Sequence, residues 1–201
     1  MRVVLLTSLL AAAAAVTGAA APQDRPPLLP ARDVAVDYRA TAAGRTTSLR
    51  VLYSAVTERL RAEAAGQSTY LIIDGRAHTA HVVMDRQRSV LDVPFDTERW
   101  RGFILSPRAT FTRQGTERML GLTCTDWKVS GPQGSGTACV TDDGVILRGA
   151  ASGAAPDGHE GTAGIQATSV HYGPQPEGIF AIPAGYKSIA MPALPTMRAR
   201  Q

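Results

Sequence analysis

Residue types that bind metals or carry out redox chemistry are scarce here: two cysteines and four histidines in 201 residues. Cys124 and Cys139 are too far apart for a Cys-x-x-Cys redox pair. A zinc ion held by both would need two more ligands, and no histidine lies between them. His78 and His81 are three apart, a spacing that on a strand points them to opposite faces. Asp157, His159 and Glu160 sit in a Gly-rich stretch that reads as a solvated loop. No Gly-rich phosphate cradle follows a strand, and no Gly-x-Ser-x-Gly elbow opens a helix, since Ser135 in "GSG" reads as a hairpin tip. Asp142-Asp143-Gly144 lacks the later acidic ligands of a calcium loop and reads as a tight turn. Charge is weak too: 21 basic against 17 acidic residues, net +4, dispersed along the chain. That excludes a nucleic-acid footprint. Past the N-terminus no apolar run is long enough to cross a bilayer as a helix.

What is present begins with "MRVVLLTSLLAAAAAVTGAAAPQDRPP". Basic Arg2, the apolar stretch Val3 to Val16 and the small residues Gly18, Ala19 and Ala20 have the anatomy of a secretory signal peptide over residues 1–20. The expected address is the periplasm. A Pro-rich leader (21–32), one domain (33–190) and a frayed tail (191–201) complete the plan, the domain being long enough to bury a real core. In an exported chain the two cysteines read as a Cys124–Cys139 disulfide tying the arms of a β-hairpin, with "SGPQGSG" as its loop. Closing a loop of roughly 15 residues contributes about 3 kcal/mol in the chain-entropy picture.

Between the leader and the tail the hydrophobic period is two. "DVAVDYRAT" alternates Val34, Val36 and Tyr38 against Asp33, Asp37 and Arg39. "TTSLRVLYS", "ERLRAEA", "STYLIID", "AHTAHVVMD" and "SVLDVPF" continue as short strands separated by polar turns, an antiparallel meander, with a helix from Val56 to Ala65 as the rival reading of "ERLRAEA". Asp74-Gly75 carries the signature of a two-residue type I′ turn. "DTERWRGFILSPRA" breaks the rhythm: Asp96 or Thr97 caps a short helix whose Trp100, Phe103 and Ile104 share a face, and Pro107 ends it. Strands resume at "ATFTRQ", "ERMLGLTCTDWKVS", "GTACVTDDGVILRGAA" and "IQATSVHY". "GPQPEGIFAIPAGYKSI" is irregular, but Ile179, Phe180 and Ile182 dock it. The fold class is mainly β with an α element (α+β).

The run "LRVLYSAVTERLRAEA…STYLIID…HVVMD…VLDVPF", with "GLTCTDWKV", "GTACVTDDGVILR" and "PEGIFAIPAGYKSI", resembles exported proteins of the DUF4412 type. These are in turn similar to the LolA/LolB/RseB group of periplasmic lipoprotein carriers and sensors. The resemblance covers about Asp33 to Ile189. It implies a strongly curved antiparallel sheet, or half-barrel, round a short helical plug, with an apolar concave face that takes acyl chains. No arginine here can be assigned the lid-locking role found in the carriers. Phe180, Pro183, Gly185 and Tyr186 look like packing. The leading expectation is a periplasmic binding protein for a lipid or lipoprotein acyl chain, without cofactor or catalysis. Trp100, Phe103, Trp127 and Phe180 are its aromatic groove candidates, with Val36, Val51 and Met84 as sheet neighbours. A structural module that fills its own groove and binds an envelope protein is the alternative, and a hydrolase the third reading.

Overall fold

The computed structural model describes residues 25–93, 105, 108–131, 134–154 and 160–190. The expected helix around Trp100 and Phe103, the signal peptide and the tail lie outside the described residues. The alternating segments form twelve strands: β1 (Val34–Ala42), β2 (Arg45–Ser54), β3 (Arg59–Ala64), β4 (Thr69–Asp74), β5 (Thr79–Met84), β6 (Ser89–Val93), β7 (Thr110–Met119), β8 (Leu122–Gly131), β9 (Gly134–Thr141), β10 (Ile146–Ala154), β11 (Glu160–Tyr172) and β12 (Lys187–Ala190). All twelve belong to one curved, open sheet in the order β12-β6-β5-β4-β3-β2-β1-β11-β10-β9-β8-β7. Neighbours are antiparallel except β12, which runs parallel to β6. β7 and β12 are the two edges, so the sheet is not a closed barrel.

Turn chemistry departs from the sequence reading at two hairpins. Asp74-Gly75 does not make a two-residue turn. Asp74 closes β4, and its carboxylate accepts the backbone N–H of Arg76 (3.1 Å) and Ala77 (2.8 Å). This side-chain capping stretches the loop to Gly75–His78 and places His78 at φ 55°, in the turn rather than on a strand. Conversely, "ERMLGLTCTDWKVS" is not one strand. Leu120 (φ 51°) and Gly121 (φ 77°) form the tight turn between β7 and β8, both at the positive φ a type I′ turn requires. The Cys124–Cys139 hairpin is longer-armed than expected: β8 reaches Gly131 and β9 starts at Gly134, so most of "SGPQGSG" is strand. "ERLRAEA" is realised as β3, with Leu60 and Ala62 buried.

Cross-strand pairing assembles the core. Val36 opposes Val51, and Val51 opposes Ala62; Val34 opposes Tyr53, and Tyr53 opposes Leu60. These residues join Ile73, Ala80, Cys124, Cys139, Val145 and Leu147 in the main apolar cluster. A second cluster holds Trp127, Ala138, Val140 and Ile146. Trp127 pairs with Ala138, whereas Cys139 pairs with Asp126, so the base of the β8–β9 hairpin is buried on both of its faces. A third cluster, Tyr70, Ile72, Val83 and Val90, lies under Tyr186 of the C-terminal segment.

The Pro-rich leader docks onto the turn between β9 and β10. The Ala31 N–H donates to the Asp143 carbonyl (2.8 Å), and Leu28 and Leu29 pack on the second and first clusters respectively. Gly144 permits this approach. It sits at φ 89°, and a Cβ there would lie 2.3 Å from the Leu29 carbonyl oxygen. An L-residue in a left-handed conformation already costs about 1–2 kcal/mol. Gly144→Ala is therefore expected to destabilise the fold by about 2 kcal/mol or more and to lift the leader off the turn. Urea unfolding measures the first effect, and faster tryptic cleavage after Arg32 the second.

Candidate functional site

Strands β4 to β6 carry apolar side chains on both faces. One face is closed: Tyr70, Val83 and Val90 pair across β4, β5 and β6 and are buried beneath Tyr186. The other face grades outward. Ile73 and Ala80 are buried in the main cluster, but the next row is half-exposed. In that row Leu71 opposes Val82, Val82 opposes Leu91, and Leu91 opposes Ile189 on edge strand β12, where Ile189 is 45% exposed. Met84 follows, half-buried, between Thr69 and Ser89. A strand covered on one face normally turns polar residues to the other. Here four strands present a continuous apolar row that the fold only half covers, the arrangement expected of a surface that meets an apolar partner. The sequence held a signal for it: the triplets Leu71-Ile72-Ile73 and Val82-Val83-Met84 ignore alternation, as strands covered on both faces do.

The aromatic and apolar candidates are distributed over this scaffold. Val36 and Val51 oppose each other inside the main cluster. Trp127 is buried in the second cluster, edge-on to Phe111 with ring centroids 6.4 Å apart. Phe180 ends a short 3-10 turn, Glu177–Phe180, that packs on β3, where the Arg61 guanidinium donates to the Ile179 carbonyl (3.1 Å). Met84 alone among the described candidates adjoins the half-exposed row; Trp100 and Phe103 lie outside the described residues. The structure thus brings Val36 and Val51 together and keeps Trp127, Phe180 and Met84 in separate places.

Cys124 and Cys139 form a disulfide, with Cα atoms 5.3 Å apart. Beside it Arg148 bridges two carboxylates, donating to both oxygens of Glu117 (3.2 and 2.6 Å) and to Asp126 (3.1 Å). Glu117, Asp126 and Cys139 are close enough to share a metal ion. The Cys139 sulfur is committed to the disulfide, however, and Arg148 already bonds both acids, so the group reads as a hydrogen-bonded brace. His81 accompanies Asp92 at 2.8 Å on the closed face of β5 and β6.

Among the described residues Asp143 is the most heavily bonded acid. Burial works against its ionisation, but the Thr141 hydroxyl, the Arg32 guanidinium and the Tyr172 hydroxyl outweigh it and hold its carboxyl below the ordinary range. Arg32 also stacks 4.0 Å over the Tyr172 ring. A carboxylate with a depressed pKa contributes stability that is complete above its unfolded value, near about 4, and lost as pH falls through the folded value. The wild type should therefore exceed Asp143→Asn in urea midpoint at pH 7, and the gap should narrow as pH falls below the ordinary carboxylate range. A gap independent of pH would mean that the charge of Asp143 is not what holds the leader.

No family model and no curated protein matches the chain, so the resemblance to DUF4412-type proteins rests on the quoted residues alone. Solved structures do share the fold. An uncharacterized conserved protein from Thermus thermophilus superposes with a TM-score of 0.56 at 10% identity, over 80% of this chain and 91% of the other. PNGF-II gives 0.52 at 10% identity, over 80% of this chain and 32% of its own. The Pseudomonas aeruginosa MucA/MucB complex gives 0.49 at 12% identity, over 75% of this chain and 55% of that one. At these identities the likeness to the first two is one of fold. Among the described residues no helix is long and apolar enough to cross a membrane.

Proposed function

We propose that the chain is a non-catalytic binding protein of the cell envelope that holds an acyl chain along the half-open face of β4, β5, β6 and β12. The observation that carries this is the row Leu71, Val82, Leu91 and Ile189: apolar, aligned across four strands, and half-exposed where it extends outward from the main cluster at Ile73 and Ala80. A flexible hydrocarbon gains roughly 0.8 kcal/mol per methylene removed from water, so a row of this kind suits a lipid tail better than a polar ligand. Two further considerations support the reading. The LolA/LolB/RseB group, which the sequence resembles, takes acyl chains on such a sheet. The disulfide and the signal-peptide anatomy of residues 1–20 fit an oxidising compartment, the periplasm.

The test is native mass spectrometry with lipid extraction, on protein exported to the periplasm. A defined adduct of lipid mass is expected, and Ile189→Glu or Val82→Glu should lower occupancy by a fluorescent fatty acid about tenfold, the equivalent of 1.4 kcal/mol. The burial of Val36 and Val51 in the main cluster favours the alternative, an envelope interaction module that fills its own groove. In that case the protein flies bare, the probe does not bind, and neither substitution matters.

A further inference from the structure

A second feature lies on the other side of β3. Where Arg61 and the 3-10 turn meet, opposite the face that carries Ala62 and Leu71, a cavity of about 290 Å3 opens between the start of β1, the β2–β3 loop and the C-terminal segment. Phe180, Val56 and Pro174 supply its apolar walls; Asp33, Ser54, Thr57 and Glu177 supply polar groups. Its size suits a small molecule, at the lower end of the range for ligand pockets.

The charges in this cavity do not balance. Arg59, the one cation among its described lining residues, already donates to Asp74 across the strands (2.8 Å). Asp33 accepts the Ala55 N–H (2.7 Å) through one oxygen, and neither Asp33 nor Glu177 makes an ion pair among the described residues. The Thr57 Oγ1 is fully buried without a hydrogen-bond partner, and Ser54, 6% exposed, lies beside it. Meanwhile Val56, at the mouth, is 72% exposed, an unusual place for a large aliphatic side chain at a loop tip.

We propose that this cavity binds a small organic ammonium ion with an apolar or aromatic body. A primary ammonium has three donors and no acceptor, which matches the two carboxylates. Its hydrocarbon lies against Phe180, Val56 and Pro174. A neutral ligand leaves both acids uncompensated, an anion is repelled by them, and a hydrated metal ion gains nothing from the apolar walls. The site is independent of the acyl-chain reading, because the two lie on opposite faces of the sheet.

The experiment uses the full mature chain, isotopically labelled, with benzylamine as the probe at pH 7. Benzyl alcohol serves as its neutral counterpart and calcium chloride as the simple-cation control. Saturable amide shifts are expected at Val56, Thr57 and Glu177, with benzyl alcohol at least about tenfold weaker, the equivalent of 1.4 kcal/mol. Asp33→Asn retains an oxygen for the Ala55 N–H, so it should fold, and it and Glu177→Gln should each weaken benzylamine about tenfold. Equal binding of the alcohol would overturn the proposal in favour of a merely apolar pocket. The same shifts with calcium would overturn it in favour of an ion site. Absence of any saturable shift would remove the site altogether.

Discussion

Replacing Cys124 and Cys139 together by alanine is expected to lower the unfolding free energy by more than about 3 kcal/mol, the loop-closure entropy of a bridge spanning 15 residues alone. That is a large share of the 5–15 kcal/mol by which folded domains are ordinarily stable. The position of the bridge makes the loss consequential. It ties β8 to β9 where both faces of the hairpin are buried, and the cysteines themselves belong to the cluster of Val34, Val36 and Leu147. Both sulfurs leave a well-packed interior, so the cavity adds to the entropic loss. Urea unfolding of wild type, reduced wild type and the double variant separates the two contributions. Reduced wild type loses only the cross-link, while the variant loses packing as well. If reduction leaves the midpoint unchanged, the hairpin does not depend on its clamp. Glu117, Arg148 and Asp126, which brace the same face from β7, β10 and β8, would then carry the register alone.

Trp127→Ala should cost about 3–5 kcal/mol, the range for deleting a buried large aromatic side chain. Trp127 is 3% exposed, packs edge-on to Phe111, lies under the Arg113 guanidinium at 5.5 Å, and sits opposite Ala138, a small residue that leaves room for the indole. The same substitution discriminates between two roles. As core, Trp127 governs stability, and at a temperature where the variant stays folded, fatty-acid probe binding should survive. As groove lining, it would govern probe binding with little change in midpoint. Trp127→Phe, which keeps an aromatic body, should recover most of the stability in the first case. The two curves, unfolding and probe titration, must therefore move separately, and their order tells which surface the indole serves.

The strands were legible because they alternate. Val34, Val36 and Tyr38 against Asp37 and Arg39, or Leu60 and Ala62 against Arg61 and Glu63, name a face without any tertiary knowledge, since a pleated strand has a period of two. The disulfide was legible because an exported chain with two cysteines and no nearby ligands has few other uses for them. Loop geometry was less so. Asp74-Gly75 reads as a tight turn until the Asp74 carboxylate is seen capping the N–H groups of Arg76 and Ala77. Leu120-Gly121 reads as strand because leucine is a poor predictor of a positive φ. The candidate site was only half legible. Met84 was named for the sheet, but Leu71, Val82, Leu91 and Ile189 became a row only when the register aligned them.

By itself, then, the sequence determined the class of the fold, the faces of its first strands and the chemistry of its one covalent cross-link, because these depend on local period and on residue type. Only the tertiary structure decided which apolar faces are closed. β12 comes from the far end of the chain to lie parallel to β6, and the segment before it buries Tyr70, Val83 and Val90 while leaving Leu71, Val82 and Leu91 half open. The same segment brings Phe180 and Glu177 beside Asp33 and Thr57, making a cavity from residues more than a hundred positions apart. Alternation tells which side chains share a side of a strand. What covers that side is a matter of long-range pairing, whose partners no local pattern specifies.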